Sequence, residues 1–400
     1  MKRLLIFTLF LLMLILMTSC SRLSVSPDIN VDDTTTLQTE EQKEPEEKPL
    51  ENDDNSMFIY PENKRELVVK YIRDLATVKW APKKTFHLFG KYEAWNYSLT
   101  YKIGKTYYGL PFLVGSRGTK EQFENSIENG FYIGGTTNSD CIGNACYDAV
   151  YVSLIQVCPS ITFKSTEDML PSNNTGLAAV GDWDYSASAH DTPRIIKRNS
   201  IQTMAKAYAQ LEIGDVVLKH VVAQDAGHAR IVSLPPVVTY KDDGSIDLNK
   251  SFITTIEQTN AWDDQVTINT TWWVDHKYSF AELYKTNFVP LTPIDYNISS
   301  KPYINALEIV TDDEFSLSGK LSGTLSSNHY IIQIIAKITD KDGNELYSEK
   351  YYPTVKKVFL EDLDFSPNLS DFNEGEYNLT IDASLALGTK TVADINFSIK

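Results

Sequence analysis

The chain has 400 residues, a net charge of −16 and 42% apolar residues. No stretch is basic enough to track a nucleic-acid backbone, so nucleic acid drops out as a partner class. About 340 residues with globular composition follow the N-terminal region, enough for two or three domains.

Lys2 and Arg3 precede an apolar run from Leu4 to Met17, interrupted only by Thr8. The run is shorter than the roughly 20 apolar residues of a membrane-spanning helix, and it suits the core of a signal peptide. It closes on Met17-Thr18-Ser19-Cys20, which resembles a lipobox with Met17 where leucine is commoner. The resemblance implies a signal peptide over residues 1–19, a lipid on Cys20 and an extracytoplasmic chain anchored to a bacterial membrane. Residues 20–56 read as a solvated tether. Ser21 to Ser56 hold eleven acidic and three basic residues, half of the chain's net charge, and no aromatics. Setting Cys20 aside leaves Cys141, Cys146 and Cys158, an odd number, so at least one thiol stays unpaired.

Residues 57–298 read as an α+β domain. A helix is predicted over Glu62 to Lys79, with Leu67, Tyr71, Leu75 and Val78 on one face and Pro82 as its stop. A second helix follows Gly143. A third runs from Ser200, its N-cap, to about Leu211. Strands are predicted at Asp215–Lys219, His228–Leu234 and Phe252–Gln258, with a hairpin turn at Lys241-Asp242-Asp243-Gly244. Residues 299–400 read as strand after strand, a small all-β, Ig-like sandwich serving as spacer or binding module. Alternation marks Tyr330–Ile338 and Tyr377–Ile381. Turns fall at Asp342-Gly343 and Glu374-Gly375.

The chemistry concentrates around Cys146. Ala149, Val150, Ser153, Leu154 and Val157 recur at helical spacing, so a buried helix begins at or just before Cys146. A cysteine there meets the positive end of the helix dipole, which favours a thiolate nucleophile. Such a nucleophile needs a base, and the base needs an orienting group. His228, in Gly227-His228, is the candidate base. Glu257 is the candidate orienting group, with Gln258 as the alternative. Cys141, in Asp140-Cys141-Ile142-Gly143, is the alternative nucleophile, while the helical stripe counts back to Cys146. His220 lies close to the site in sequence, and His190 falls in a turn, His190-Asp191-Thr192-Pro193. No paired Cys-x-x-Cys spacing appears, so neither a metal nor a cofactor is expected.

The order of elements resembles the NlpC-type family of cell-wall cysteine peptidases, over roughly Lys64 to Pro293. Cys146-Tyr147-Asp148-Ala149-Val150 lies where that family reads Asp-Cys-Ser-Gly-Phe-Val. Leu211 to Asp215 matches its Gly-Asp turn, and Gly227-His228 its histidine strand. Tyr107-Tyr108-Gly109-Leu110-Pro111-Phe112 matches its aromatic-rich upstream stretch. The resemblance implies a papain-like fold, peptidoglycan stem peptides as substrate, and Cys146, His228 and Glu257 as catalytic residues. Three departures stand out. Ala145 replaces the usual Asp, and Tyr147-Asp148 replace Ser-Gly. Phe112 stands where a tyrosine would help hold the oxyanion, which leaves Tyr108 or Tyr107 for that role. The leading expectation is a membrane-anchored peptidase or amidase. The alternative is a catalytically degenerate, cell-wall-binding or scaffold lipoprotein of the same fold. The insertions at Val157–Ser200 and Pro235–Asn249 are expected to narrow the cleft.

Overall fold

The first helix, α1, spans Lys64–Thr77, and the Asn63 side chain caps it by accepting the Glu66 N–H at 3.3 Å. Its buried face is Val68, Ile72, Leu75 and Ala76, so the stripe predicted through Leu67 and Tyr71 is rotated by one position. Those two residues sit half-buried at its margin, and the Tyr71 hydroxyl turns outward to Glu121 at 2.8 Å. Pro82 is not the helix stop. The chain is already extended at Val78, and Pro82 ends the strand that follows. This computed structural model describes residues 56–400 apart from residue 60, 91–95 and 187–190. Cys20, the signal peptide, the tether up to residue 55 and His190 lie outside the described residues.

Next come β1 (Lys79–Pro82), β2 (Phe86–Phe89), β3 (Ser98–Tyr101), β4 (Tyr107–Tyr108), α2 (Lys120–Asn125), β5 (Ile127–Glu128) and β6 (Phe131–Tyr132). A small sheet of order β4-β1-β6-β5 and a β2–β3 hairpin gather around Trp80. Five aromatic rings lie with centroids 5.3 to 6.1 Å from the Trp80 indole. Offset and edge-on contacts of this kind add to what burial alone contributes.

Helix α3 is Cys146–Leu154, and every residue in it except Tyr147 is buried. After it come β7 (Leu177–Ala179), α4 (Thr192–Arg198), α5 (Ile201–Tyr208), β8 (Val216–Val221), β9 (Ala226–Val237), β10 (Phe252–Gln258), β11 (Trp272–Ser279), α6 (Phe280–Lys285) and β12 (Val289–Pro293). Ser200 caps α5 as predicted, accepting the Thr203 N–H at 3.0 Å. The segment read as a turn at Asp191-Thr192-Pro193 instead starts α4, where proline fits the first turn because its missing N–H is not needed. The six strands form one antiparallel sheet, β11-β10-β9-β8-β12-β7. Helix α3 lies on β9 and β10, and α1 packs against α3. That stacking brings the start of α3 over the strands that carry His228 and Glu257.

The C-terminal hundred residues form β13 (Ile304–Leu307), α7 (Asp312–Ser318), β14 (Thr324–Ile331), β15 (Gln333–Asp340), β16 (Glu345–Tyr351), β17 (Val355–Phe359), β18 (Gly375–Leu385) and β19 (Gly388–Ile399). They make two antiparallel sheets, β13-β14-β17 and β16-β15-β18-β19. The strand predicted through Tyr330–Ile338 divides at Ile332 between β14 and β15. Alternate residues of β15 and β18 are buried, as period-two patterning requires. The described residues belong to one compact unit, mixed α+β with several sheets. Tyr330 of β14 donates its hydroxyl proton to the Ile161 carbonyl, and Lys64 donates to the Asp295 carbonyl at 2.6 Å. No described helix is long and apolar enough to cross a membrane.

Candidate active site

Cys146 is the first residue of α3 and is 7% exposed. Its position is set from the other side by the strap Pro111–Arg117. Asn144 N–H donates to the Pro111 carbonyl at 3.0 Å, and Leu113 N–H donates to the Asn144 carbonyl at 2.9 Å. A side chain on Gly143 would overlap the strap, since a Cβ there would lie 2.5 Å from the Pro111 oxygen. The glycine is therefore a packing requirement of the turn that delivers Cys146.

His228 is the third residue of β9 and lines the same cleft as Cys146. The Cys146 Sγ lies 4.0 Å from the carbonyl oxygen of Gly227, the residue before His228. Nε2–H of His228 donates to Glu257 Oε2, which leaves Nδ1 as the ring nitrogen free to act as base. Glu257 Oε2 also accepts from Arg230 Nε at 2.8 Å, while Oε1 accepts the Tyr278 hydroxyl at 2.6 Å. His228 and Arg230 are two residues apart on one strand and so share a face. The Arg230 guanidinium lies between the rings of Tyr278 and Phe288, 3.8 and 4.1 Å from their centroids.

Burial alone would lower the His228 pKa. Cys146 and the Glu257 carboxylate outweigh it and raise His228 to about 9. Burial would raise Glu257, but His228 and Arg230 hold it down to about 2. The two shifts bound the pH range of the cluster's stabilisation. The His228 part is complete below 6.5 and lost as pH rises through about 9. The Glu257 part is complete above 4.5 and lost as pH falls through about 2.

A cleft of about 130 Å³ opens over Cys146 and His228, with Tyr97, Phe112 and Tyr147 among its walls. Among the described lining residues His228 is the one ionisable group besides the thiol and the two tyrosine hydroxyls. Tyr97, Thr166 and Asn260 line it too, and sequence reasoning missed all three. They come from loops or loop–strand junctions with no periodic signal. The Tyr97 hydroxyl bonds to the backbone of Val114, and burial raises its pKa. Thr166 belongs to the first predicted insertion, which does reach the cleft. No residue of the 235–249 insertion is among the lining residues.

The alternatives separate cleanly. Cys141 is buried beside the Tyr132 hydroxyl, 3.8 Å away, and burial pushes its thiol up to about 12. Cys158 is fully buried, and burial raises its thiol as well. All three described cysteines are free thiols. Gln258 faces away from His228. It donates to the Leu110 carbonyl at 2.9 Å and accepts from Thr271 at 3.3 Å. Tyr107 and Tyr108 do not line the cleft, which corrects their assignment as oxyanion donors. The Tyr107 hydroxyl instead accepts the Lys102 N–H at 2.7 Å, and Tyr108 pairs with Lys79 in the small sheet. The Gly-Asp turn is structural. Asp215 Oδ1 accepts from Arg65 of α1 at 2.6 Å, and Oδ2 accepts the Glu212 N–H at 2.8 Å. His220 is buried and bonds through Nδ1 to the Thr166 hydroxyl at 3.0 Å, so it touches the cleft through a lining residue. Among the described residues no three His, Cys, Asp or Glu side chains gather as a metal site.

Gly227 shows how closely the walls meet. A Cβ there would lie 2.0 Å from Thr166 Oγ1 and 2.8 Å from the Lys219 carbonyl oxygen. Gly227→Ala will push Thr166 out of the wall and displace β9 beside His228, at a cost of about 1–3 kcal/mol. Thermal melting of the variant will register that loss. Adding Thr166→Ala will recover only part of it, because the Lys219 carbonyl still blocks the methyl group.

Comparison with protein-family models, curated proteins and solved structures finds no match, so the residues of the cleft are themselves the ground for a functional reading.

Proposed function

We propose that this chain is an exported, lipid-anchored cysteine hydrolase, a peptidase or amidase acting on peptidoglycan stem peptides. In this reading a papain-like domain of the NlpC type precedes an Ig-like sandwich. The observation that carries the hydrolase reading is the line Cys146–His228–Glu257, with the thiol at a helix start and the base oriented through its far nitrogen. Cys146 Sγ attacks the amide carbonyl carbon. His228 holds the thiol proton and delivers it to the leaving amine, giving a thioester. Water then attacks the thioester with His228 as base, releasing the acid and restoring the thiol. The backbone N–H of Cys146 has no intrahelical acceptor. It and the hydroxyl of Tyr97, which lines the cleft, are the candidate oxyanion donors, and one such donor contributes on the order of 100-fold. The cell-wall substrate rests on the family resemblance and on the lipobox at Cys20.

The experiment is to incubate the full-length chain in detergent with muropeptides and count new amines and carboxyl groups. Equal release of both supports a hydrolase. Capture of the acyl group by an added amine would favour a transferase. No product from muropeptides or from a general peptide library would favour the binding or scaffold reading.

A further inference from the structure

The start of α3 lacks an ordinary cap. Ala145 occupies the capping position, extended at φ −88° and ψ 176°, and its methyl group accepts no hydrogen bond. Asp148, three residues on, makes the other half of a capping box, accepting the N–H of the cap residue itself. Its Oδ2 accepts the Ala145 N–H at 3.3 Å, and its Oδ1 accepts from Arg117 Nε at 3.3 Å. The Ala145 donor immediately precedes Cys146, and Tyr147, which immediately follows it, is a wall of the cleft. Arg117 is itself fixed, donating to the Phe163 carbonyl at 2.9 Å and lying 3.7 Å from the Tyr151 ring centroid. Asp148 is 1% exposed, so the carboxyl has been taken out of water to serve these two donors.

We infer that Asp148 is a positioning residue that holds Cys146 at the floor of the cleft by tying the residue before it to the strap through Arg117. The inference rests on the proposed hydrolase reading. In that light Ala145 and Asp148 are one connected arrangement: with no side-chain acceptor at the capping position, the turn into the helix is held from its third residue.

The arrangement has a pH signature. Burial raises the Asp148 carboxyl to about 7, with Arg117 and the Ala145 N–H pulling the other way. A proton on the carboxyl turns one of its acceptor oxygens into a donor. Arg117 from the strap and Tyr147 from α3 face the group directly, and Cys146 is its neighbour on the helix. From the strands under α3 come His228, Arg230 and Glu257, which are bonded to one another. From α1 come Lys64, bonded to the Asp295 carbonyl, Arg65, paired with Asp215 and Glu212, and Tyr71, bonded to Glu121. Tyr330 of β14 packs edge-on against the Tyr151 ring, 6.1 Å between centroids, and feels the Arg117 charge.

The experiment follows iodoacetamide reaction at Cys146 by site-resolved mass spectrometry, on the full-length chain in detergent. It covers about pH 5 to about 9. Asp148→Asn, Arg117→Gln and His228→Ala are run beside the wild type. The wild-type profile will inflect near pH 7, where Asp148 titrates. Asp148→Asn will lose that inflection and react roughly tenfold more slowly at the plateau, since the amide offers one acceptor oxygen where two are used. Arg117→Gln will move the inflection to higher pH, because Arg117 holds the carboxyl down. An Asp148→Asn profile matching the wild type in rate and inflection would overturn the inference. So would an Arg117→Gln inflection that does not move, and this arm decides alone if the Asn variant fails to fold. His228→Ala reports separately: an unchanged Cys146 rate there would defeat the hydrolase reading, while the Asp148 and Arg117 arms would still report on positioning.

Discussion

Cys146→Ala and His228→Ala will each lower turnover by on the order of 1000-fold or more, and the double variant will fall little further. The two groups perform one act, transfer of the thiol proton and attack by sulfur, so removing either removes that act. The residual rate will reflect binding and the backbone N–H at the start of α3. Both substitutions delete atoms at the cleft surface, so folding will be preserved: Cys146 loses a single sulfur atom, and the His228 side chain is 23% exposed. Steady-state kinetics on any substrate found by the product assay will show the loss in kcat. Cys141→Ala will leave turnover unchanged, because its buried thiol lies outside the cleft.

Glu257→Gln will be the second large effect, and its cause is electrostatic. Glu257 is 1% exposed and is the acceptor for His228, Arg230 and Tyr278 together. An amide removes the negative charge and leaves the Arg230 guanidinium, 11% exposed, without its counter-charge. Breaking a buried ion pair from one side costs about 3–5 kcal/mol. The variant will melt at lower temperature. The effect on His228 has a definite sign. With the carboxylate gone, burial is opposed only by Cys146, and the imidazole pKa falls from about 9. The basic limb of turnover, set by the imidazolium that protonates the leaving amine, will therefore move to lower pH. Lost orientation of the ring will add a fall in kcat on the order of 1000-fold. A pH–rate profile of the variant reads both effects. A basic limb left near pH 9 would show that Glu257 does not govern the His228 proton.

The sequence yielded the elements that carry the chemistry because each has a strong local signal. The stripe Ala149, Val150, Ser153, Leu154 counts back to Cys146, and α3 begins there. The strand read at Phe252–Gln258 is β10 to the residue, with Glu257 near its end bonded to His228. Cys141 and Cys146 are almost equally buried, and what separates them in space is that Cys146 lines the cleft with His228 while Cys141 lies beside Tyr132, which no local pattern expresses. The α1 stripe was one position out because Leu67 and Tyr71 are apolar enough to read as core, whereas they lie at the margin.

The cleft walls were less legible. Tyr97 precedes a four-residue strand, Thr166 lies in a long insertion, and Asn260 follows the end of β10. None stands in a periodic run, and all reach Cys146 only through tertiary packing. The aromatic stretch Tyr107–Phe112 looked like the oxyanion segment, yet Phe112 alone of its aromatics lines the cleft. The Tyr107 ring instead packs into the Trp80 cluster, 5.3 Å between centroids. Asp148 was visible as a departure from a family pattern, but one of its two donors is Arg117, thirty-one residues away.

The most direct check of the central claim is competitive alkylation of the three described thiols at about pH 6.5, two units below the roughly 8.5 of an unperturbed cysteine. Site-resolved mass spectrometry would compare the wild type with His228→Ala. The thiol–imidazole pairing predicts that Cys146 labels first in the wild type, with Cys141 and Cys158 silent, and that His228→Ala abolishes this labelling. Early labelling of Cys141, or Cys146 labelling that is indifferent to His228, would contradict it.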